Sequence, residues 1–132
     1  MVVVDTSVFS LFLRRNQQLD DTYLALFHDL FEKDQIILLG SVYQELLSGI
    51  RHQTQFDRLA DTLSGFDLLL ATAADHQEAA RFYNICRRNG VQGSAIDFLI
   101  CAMAHRRNHS ILTLDADFDL YTQHLPIDLL RP

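Results

Sequence analysis

The sequence lacks several of the patterns on which common catalytic and metal sites are built. Its two cysteines, Cys86 and Cys101, do not form a C-x-x-C pair, which argues against a thiolate metal site and favours buried thiols in a reducing compartment. The two glycines of residues 90–93 are not followed by lysine, and the chain has only Lys33, so a phosphate-binding P-loop is excluded. No G-x-S-x-G nucleophile elbow is present.

Long apolar runs are also missing. No stretch approaches the roughly 20 residues that a membrane-spanning helix needs. The chain opens on strand-like valines and has no basic segment typical of a signal peptide, so a cytoplasmic protein is expected. The 132 residues, 48% hydrophobic and 21% charged, predict a single globular domain over 1–132.

Basic residues are fewer than acidic ones, 11 against 17, and the net charge is -6. This balance argues against non-specific nucleic-acid binding, unless several acids share a cation that reverses the local field. Ten of the basic residues are arginine, the better bidentate phosphate ligand. Six of them form the pairs Arg14-Arg15, Arg87-Arg88 and Arg106-Arg107 near the ends of apolar segments, where the favoured interpretation is complementation of helix dipoles.

Short β-rich runs alternate with longer helical ones, the pattern of a parallel sheet covered by helices. We therefore predict an α/β fold with three α/β/α layers. The predicted strands are 2–5, 36–39, 67–70, 110–114 and 127–130. The predicted helices are 7–14, 20–33, 41–48 (with Ser41 as N-cap), 53–63, 73–89, 95–107 (with Ser94 as N-cap) and 117–123.

Four acids lie in or beside apolar runs, where ionised groups are costly to desolvate. They are Asp5, Glu45, Asp97 and Asp115. Asp97 is the most informative, because it is the only charged residue between Ala95 and Ala104. Its position in the first turn of a helix gains about 0.3–1 kcal/mol from the dipole. That gain is smaller than the several kcal/mol that an unpaired buried ion costs.

The other three acids have competing structural explanations. Asp5 follows the first strand and is also a good helix N-cap, although Thr6 or Ser7 would cap equally well. Glu45 is one residue away from the capping-box position and is either functional or solvated. Asp115 follows the strand 110–114 at a carboxyl end, where ligands of open α/β sheets bind. Nearby, Thr113 is a candidate hydrogen-bond partner of the site, and Asp117 a candidate helix cap.

Carboxylates without histidine or cysteine suit a hard cation, Mg²⁺ or Mn²⁺. A cluster of acids repels itself unless a cation intervenes. We therefore predict a metal site for phosphoryl-transfer chemistry, in which metal-activated water attacks and no protein nucleophile is needed.

Four segments together resemble the PIN-domain family, and in length and layout its VapC-type toxin ribonucleases. They are V-V-V-D-T-S, the isolated glutamate after the second strand, G-S-A-I-D-F-L-I-C-A-M-A and I-L-T-L-D-A-D-F. The resemblance covers essentially the whole chain. It implies the strand order 3-2-1-4-5, a Mg²⁺- or Mn²⁺-dependent endoribonuclease that cleaves RNA, a homodimer, and a small VapB-like antitoxin as protein partner.

The resemblance also implies roles for individual residues. Asp5, Glu45, Asp97 and Asp115 are the expected catalytic acids, with Asp5, Asp97 and Asp115 as metal ligands. Ser7, Thr113 and Asp117 are the expected accessory residues. Arg14, Arg15, Arg87 and Arg88 are the candidate contacts to RNA.

Two other classes remain open on the residues alone. A PIN-like module that binds RNA or protein without catalysis is the first. A haloacid-dehalogenase phosphatase is the second, but it requires an acid two residues after Asp5, where the sequence has Ser7, and a lysine downstream, where only Lys33 is available.

Overall fold

The centre of the molecule is a parallel sheet of short apolar strands. A computed structural model describes residues 1–14 and 21–132. The strands are β1 (Val2–Val4), β2 (Ile36–Leu39), β3 (Asp67–Leu69) and β4 (Ser110–Leu112). They lie in the order β3-β2-β1-β4, and Val3 of β1 is opposite Ile37 on one side and Ile111 on the other. Continuous apolar sequence fits β1 and β2, because both faces of these central strands are buried. The predicted α/β fold with helices on both sides of a parallel sheet is confirmed.

Helices connect the strands and cover the sheet. Within the described residues they are α1 (Thr6–Leu13), α2 (Asp21–Glu32), α3 (Gly40–Leu47), α4 (Gln53–Leu63), α5 (Ala73–Arg88), α6 (Ala95–Arg106) and α7 (Asp117–Tyr121). The predicted start of the second helix, at residue 20, lies outside the described residues. In the described part of the chain, no helix combines the length and the apolar character needed to cross a bilayer.

The predicted fifth strand is reduced to one bridge. Leu129 pairs in parallel with Ile111 of β4, and the Leu130 N–H donates to the Ile111 carbonyl over 2.8 Å. This segment therefore lies where the order 3-2-1-4-5 places it, beside β4. It lies between Pro126 and Pro132, and because proline has no N–H the ladder cannot extend through either residue.

Two predicted helix starts have different outcomes. Ser94 caps α6 as predicted, accepting the Asp97 N–H over 3.1 Å. The predicted cap at Ser41 is wrong, because α3 already begins at Gly40 and Leu39 holds the N-cap position. Strand β2 passes into α3 without a connecting residue. The hydroxyl of Ser41 is buried and has no hydrogen-bond partner among residues 1–14 and 21–132.

Helices α5 and α6 are joined by a buried acid that the sequence analysis did not identify. Asp75 is fully buried and accepts hydrogen bonds from Arg106 over 2.5 Å and Arg107 over 2.8 Å. It also forms a capping box with Thr72 at the start of α5. The Arg107 guanidinium, with help from Thr72 and Arg106, holds the pKa of Asp75 well below its usual range despite burial. The pair Arg106-Arg107, predicted only to complement a helix dipole, therefore fixes α6 against α5.

Candidate metal centre

The predicted acids gather at the carboxyl ends of β1 and β4, together with the first turn of α6. Asp5 follows β1 and is only 6% exposed. It occupies the N-cap position of α1, but its side chain makes no capping hydrogen bond. Its Oδ2 instead accepts the hydroxyls of Ser7 over 2.9 Å and Thr113 over 2.7 Å. Helix capping therefore does not explain the carboxylate of Asp5.

Ser7 and Thr113 join the ends of the two strands through this carboxylate. The Ser7 hydroxyl also accepts the Leu114 N–H over 3.0 Å, and the Thr113 hydroxyl accepts the Asp115 N–H over 3.0 Å. Each hydroxyl thus donates to Asp5 and accepts from the backbone beyond β4. This network orders the turn that carries Asp115.

Three carboxylates come together beside this network. One oxygen from each of Asp97, Asp115 and Asp117 lies within 4.8 Å of the other two. Asp115 and Asp117 are held together because Asp115 Oδ1 accepts the Asp117 N–H over 2.9 Å at the start of α7. Asp117, predicted as an accessory residue, therefore stands among the close acids. Asp5, predicted as a direct metal ligand, is not a member of this set.

Asp97 is half-buried, and its environment disfavours the ionised form. Burial raises the pKa of Asp97, and the negative charges of Asp5 and Asp115 raise it further. The hydroxyls of Tyr121 and Ser94 act in the opposite direction. No ion pair joins Asp5, Asp97, Asp115 or Asp117 to a basic residue in the described parts of the chain. The cluster therefore has uncompensated negative charge at its centre.

Tyr121 is the residue of this site that the sequence analysis missed. Its hydroxyl donates to Asp97 Oδ2 over 2.7 Å, and its ring is fully buried. Burial and the neighbouring Asp97 raise the pKa of Tyr121 well above its usual value, so the hydroxyl remains a donor. A tyrosine at the end of a short amphipathic segment normally packs in the core. The position of Tyr121 in the sequence therefore did not indicate its hydrogen bond to Asp97.

Glu45 lies at the border of the site. It is exposed on α3, and its Oε2 accepts the Thr6 hydroxyl over 3.2 Å. Thr6 is the first residue of α1 and directly follows Asp5, so this hydrogen bond brings Glu45 of α3 close to the start of α1. It does not belong to the close set formed by Asp97, Asp115 and Asp117.

The predicted RNA-contacting arginines occupy separate regions. Arg14 follows α1, about 12 Å of helix away from Asp5 at 1.5 Å per residue. Arg87 donates to the Tyr83 hydroxyl over 2.9 Å and lies over its ring. Arg88 is exposed at the end of α5. Arg15 lies outside the described residues. Within the described residues, none of the other three forms an ion pair.

The three close carboxylates fit a hard divalent cation. Opposite ligands of Mg²⁺, each at about 2.1 Å, stand roughly 4.2 Å apart, which is near the separation limit of this set. Their oxygen-only chemistry favours Mg²⁺ or Mn²⁺ over zinc. In the described residues, no second group of three acids, histidines or cysteines is comparably close.

Comparison with known proteins agrees with the fold. The PIN domain family model matches residues 2–122, and the chain belongs to this family. Ribonuclease VapC51 of Mycobacterium tuberculosis is 37% identical over 71 residues. That match covers 53% of this chain and 52% of the relative, so the similarity spans about half the length of each.

Solved structures share the fold at lower identity. FitAcB from Neisseria gonorrhoeae superimposes with a TM-score of 0.80 at 19% identity, covering 100% of this chain and 98% of the other. VapBC2 from Rickettsia felis, bound to a DNA fragment from its promoter, gives 0.78 at 18% identity, with 99% and 98% covered. VapC20 of Mycobacterium tuberculosis, described as a sarcin-ricin loop cleaving toxin, gives 0.74 at 17% identity over 100% of both chains.

Proposed function

We propose that the chain is a metal-dependent endoribonuclease of the VapC kind, acting in the cytoplasm as the toxin of a type II toxin-antitoxin pair. The observation that carries the proposal is the set of three carboxylates, Asp97, Asp115 and Asp117, at the carboxyl end of a PIN-family sheet. The relative named Ribonuclease VapC51 supports RNA as the substrate.

The close acids would hold Mg²⁺ or Mn²⁺, with Asp5 beside them. The chemistry that such an ion supplies is activation of a water ligand and neutralisation of charge on the scissile phosphate. The protein contributes the positioning. Thr113 and Ser7 fix Asp5 and order the turn at Asp115, and Ser94 fixes the first turn of α6 beneath Asp97.

Substrate contacts would come from the exposed surface around the acids. Glu45, on α3, accepts the Thr6 hydroxyl beside Asp5, and its carboxylate would accept a proton in the reaction. Arg87 and Arg88, which form no ion pair in the described residues, would contact the RNA backbone, and Arg87 would exchange its hydrogen bond to the Tyr83 hydroxyl for a phosphate. Arg14 and Arg15 remain candidates from the sequence.

Cleavage of total RNA by the purified chain tests the proposal. We expect degradation in millimolar Mn²⁺ or Mg²⁺ and none in EDTA. Asp97→Asn should reduce cleavage by at least about 100-fold, because the ion would lose one direct ligand or its electrostatic support. Asp61→Asn, an exposed acid on α4, is the matched control and should cleave like the wild type. Full activity of Asp97→Asn, or activity unaffected by EDTA, would contradict the proposed centre.

The alternative function is a PIN-like module that binds RNA or protein without cleaving. The presence of Asp97, Asp115 and Asp117 in one close set, with Asp5 and Glu45 near it, disfavours this function, because a binding module has no need of uncompensated acids. The same assay separates the two functions: RNA that is bound with measurable affinity but stays intact in Mn²⁺ would favour the module.

The antitoxin is proposed to bind a groove between α1, α3 and α4. Along α1, Phe9 is fully buried, whereas Phe12 and Leu13 are half-buried. Leu13 lines the groove with Leu46, and Arg14 and Arg58 add positive charge. These residues fit a partner segment that carries apolar and acidic side chains. Leu46→Asp should abolish co-purification with the product of an adjacent antitoxin gene, while Asp61→Asn should not.

A homodimer is the second association that we propose, as the family resemblance implies. Size-exclusion chromatography with light scattering measures it directly. A mass near twice 15.2 kDa is expected, and a monomer at micromolar concentration would contradict it.

A further inference from the structure

Tyr121 is held in a defined position on α7, close to the acids. Its ring packs against Phe98 at a centroid distance of 5.0 Å and against Phe118 at 5.1 Å. Its carbonyl accepts the Leu125 N–H over 2.8 Å, which fixes the backbone after the helix. The phenol is fully buried, so its hydroxyl must find a partner inside the protein. The partner that it finds is Asp97.

Gly93 provides the room for this contact. A Cβ atom at Gly93 would collide with the Tyr121 hydroxyl and would approach the Phe98 ring to 2.8 Å. No ordinary Cβ contact is that short, so any side chain at residue 93 would displace the phenol or the ring. Glycine is required at this position by the space around it, since its backbone does not have a positive φ.

Helix α7 connects Tyr121 with a second acid of the set. Asp117 is the first residue of α7 and Tyr121 the last, four positions later and therefore on the same face. The short helix thus presents a carboxylate and a phenol to the same region. Any shift of α7 would move Asp117 and the contact to Asp97 together.

We propose that Tyr121 is a positioning residue of the metal centre. Its hydroxyl fixes the orientation of the Asp97 carboxylate relative to Asp115 and Asp117, and Gly93 keeps the space in which it does so. Partners that orient metal-ligating groups commonly change metal affinity 10–100-fold when they are removed. This inference rests on the proposed function, because it requires the acids to bind a divalent cation.

Tyr121→Phe removes only the hydroxyl and keeps the ring between Phe98 and Phe118. We expect the dissociation constant for Mn²⁺, measured by isothermal titration calorimetry, to rise at least about 10-fold. Tyr43→Phe, which removes a phenol hydroxyl from α3 beside β3, is the matched control and should bind Mn²⁺ like the wild type. A hydroxyl with a purely structural role would lower the melting temperature of the metal-free chain and leave the Mn²⁺ affinity unchanged. That result would overturn the inference.

The outcomes for the wild type separate the inference from the proposed function. Wild-type protein that binds no Mn²⁺ at millimolar concentration would refute both. Equal Mn²⁺ affinity of wild type and Tyr121→Phe, with RNA cleavage dependent on Mn²⁺, would refute only the role of Tyr121.

A measurement on the unmodified chain covers the case in which Tyr121→Phe does not fold. Tyrosine labelled with ¹³C at Cζ reports the hydroxyl environment, and the Tyr121 resonance is identified by elimination with Phe variants of Tyr23, Tyr43 and Tyr83. Saturation with diamagnetic Mg²⁺ should shift the Tyr121 signal more than the other three, because its acceptor Asp97 becomes neutralised. A Tyr121 signal unchanged at saturating Mg²⁺ would overturn the inference.

Discussion

Asp97→Asn is expected to stabilise the metal-free protein while removing its response to metal. The oxygens of Asp97, Asp115 and Asp117 lie within 4.8 Å of one another. At that separation, each pair of charges repels by about 1 kcal/mol in water and by about 3 kcal/mol at an effective dielectric constant of about 20. Asp117 is exposed and Asp115 partly exposed, so the lower value applies, and two pairs give about 2 kcal/mol.

Part of this gain is lost with the charge. The Tyr121 hydroxyl would donate to a neutral amide oxygen, which weakens that hydrogen bond by about 1 kcal/mol. The net stabilisation of metal-free Asp97→Asn is therefore about 1 kcal/mol, or about 3–4 °C in melting temperature for 132 residues. High salt should shrink the difference by screening the exposed charges.

Thermal unfolding, followed by circular dichroism at pH 7 with EDTA or Mn²⁺, measures both effects. Wild type should gain about 2.7 kcal/mol when free Mn²⁺ is 100 times its dissociation constant. Asp97→Asn should gain little at the same concentration, and the control Asp61→Asn should behave like the wild type. The reasoning fails if metal-free Asp97→Asn melts several degrees below the wild type, or if it keeps the full Mn²⁺ shift.

Three further predictions concern groups that hold the site in place. Asp75→Asn should lower the free energy of unfolding by about 3 kcal/mol, since it leaves Arg106 and Arg107 without their buried partner; urea denaturation measures this. The pKa of Asp75 in the folded protein lies well below the ordinary value of 3.8, so its ion pairs contribute stability above pH 3.8 and this contribution is lost as the pH falls below 3.8. Asp75→Asn should therefore show a weaker decrease of melting temperature with falling pH than the wild type, when melting is measured over a series of pH values. Thr113→Val should cost about 1–2 kcal/mol and slow RNA cleavage, because Asp5 loses its shortest hydrogen bond; a stable variant with unchanged cleavage rate would show that the hydroxyl is dispensable.

The sheet was predictable from the sequence because each strand is a distinct apolar run between helical patterns. The bounds of β2 and α4 agree with the structure, and the other described elements differ by one or two residues at their ends. The segment 127–130 was predicted as the last of the short β-rich runs that alternate with helical ones. Pro126 and Pro132 prevent the pairing from extending beyond this segment, but periodicity did not show that only Leu129 would form a bridge to β4.

The acids were found by their conflict with apolar surroundings, and the structure brings most of them to one edge of the sheet. Apolar surroundings did not indicate which of these acids would lie close to one another within the site. Asp117 joins the close set through a backbone hydrogen bond to Asp115, a turn geometry that the alternating acids of residues 115–119 do not specify. Tyr121 and Asp75 were missed for a common reason. Each acts through a partner more than 20 residues away, and such pairings follow from packing.

The acids differ in how their oxygens are occupied, which gives them different parts in the site. Asp5 Oδ2 already accepts two side-chain hydroxyls, so this carboxylate holds together the ends of β1 and β4. The carboxylates of Asp97, Asp115 and Asp117 are contacted by the hydroxyls of Tyr121 and Ser94 and by one backbone N–H, and no cation of the described chain balances their charge. Repulsion inside such a set disfavours the folded chain unless a cation binds it. The hydrogen bonds made by Asp5, Thr113 and Tyr121 therefore hold the three acids at a separation that lowers the stability of the metal-free protein. Because a bound cation would remove this repulsion, we expect metal binding to raise the folding stability strongly.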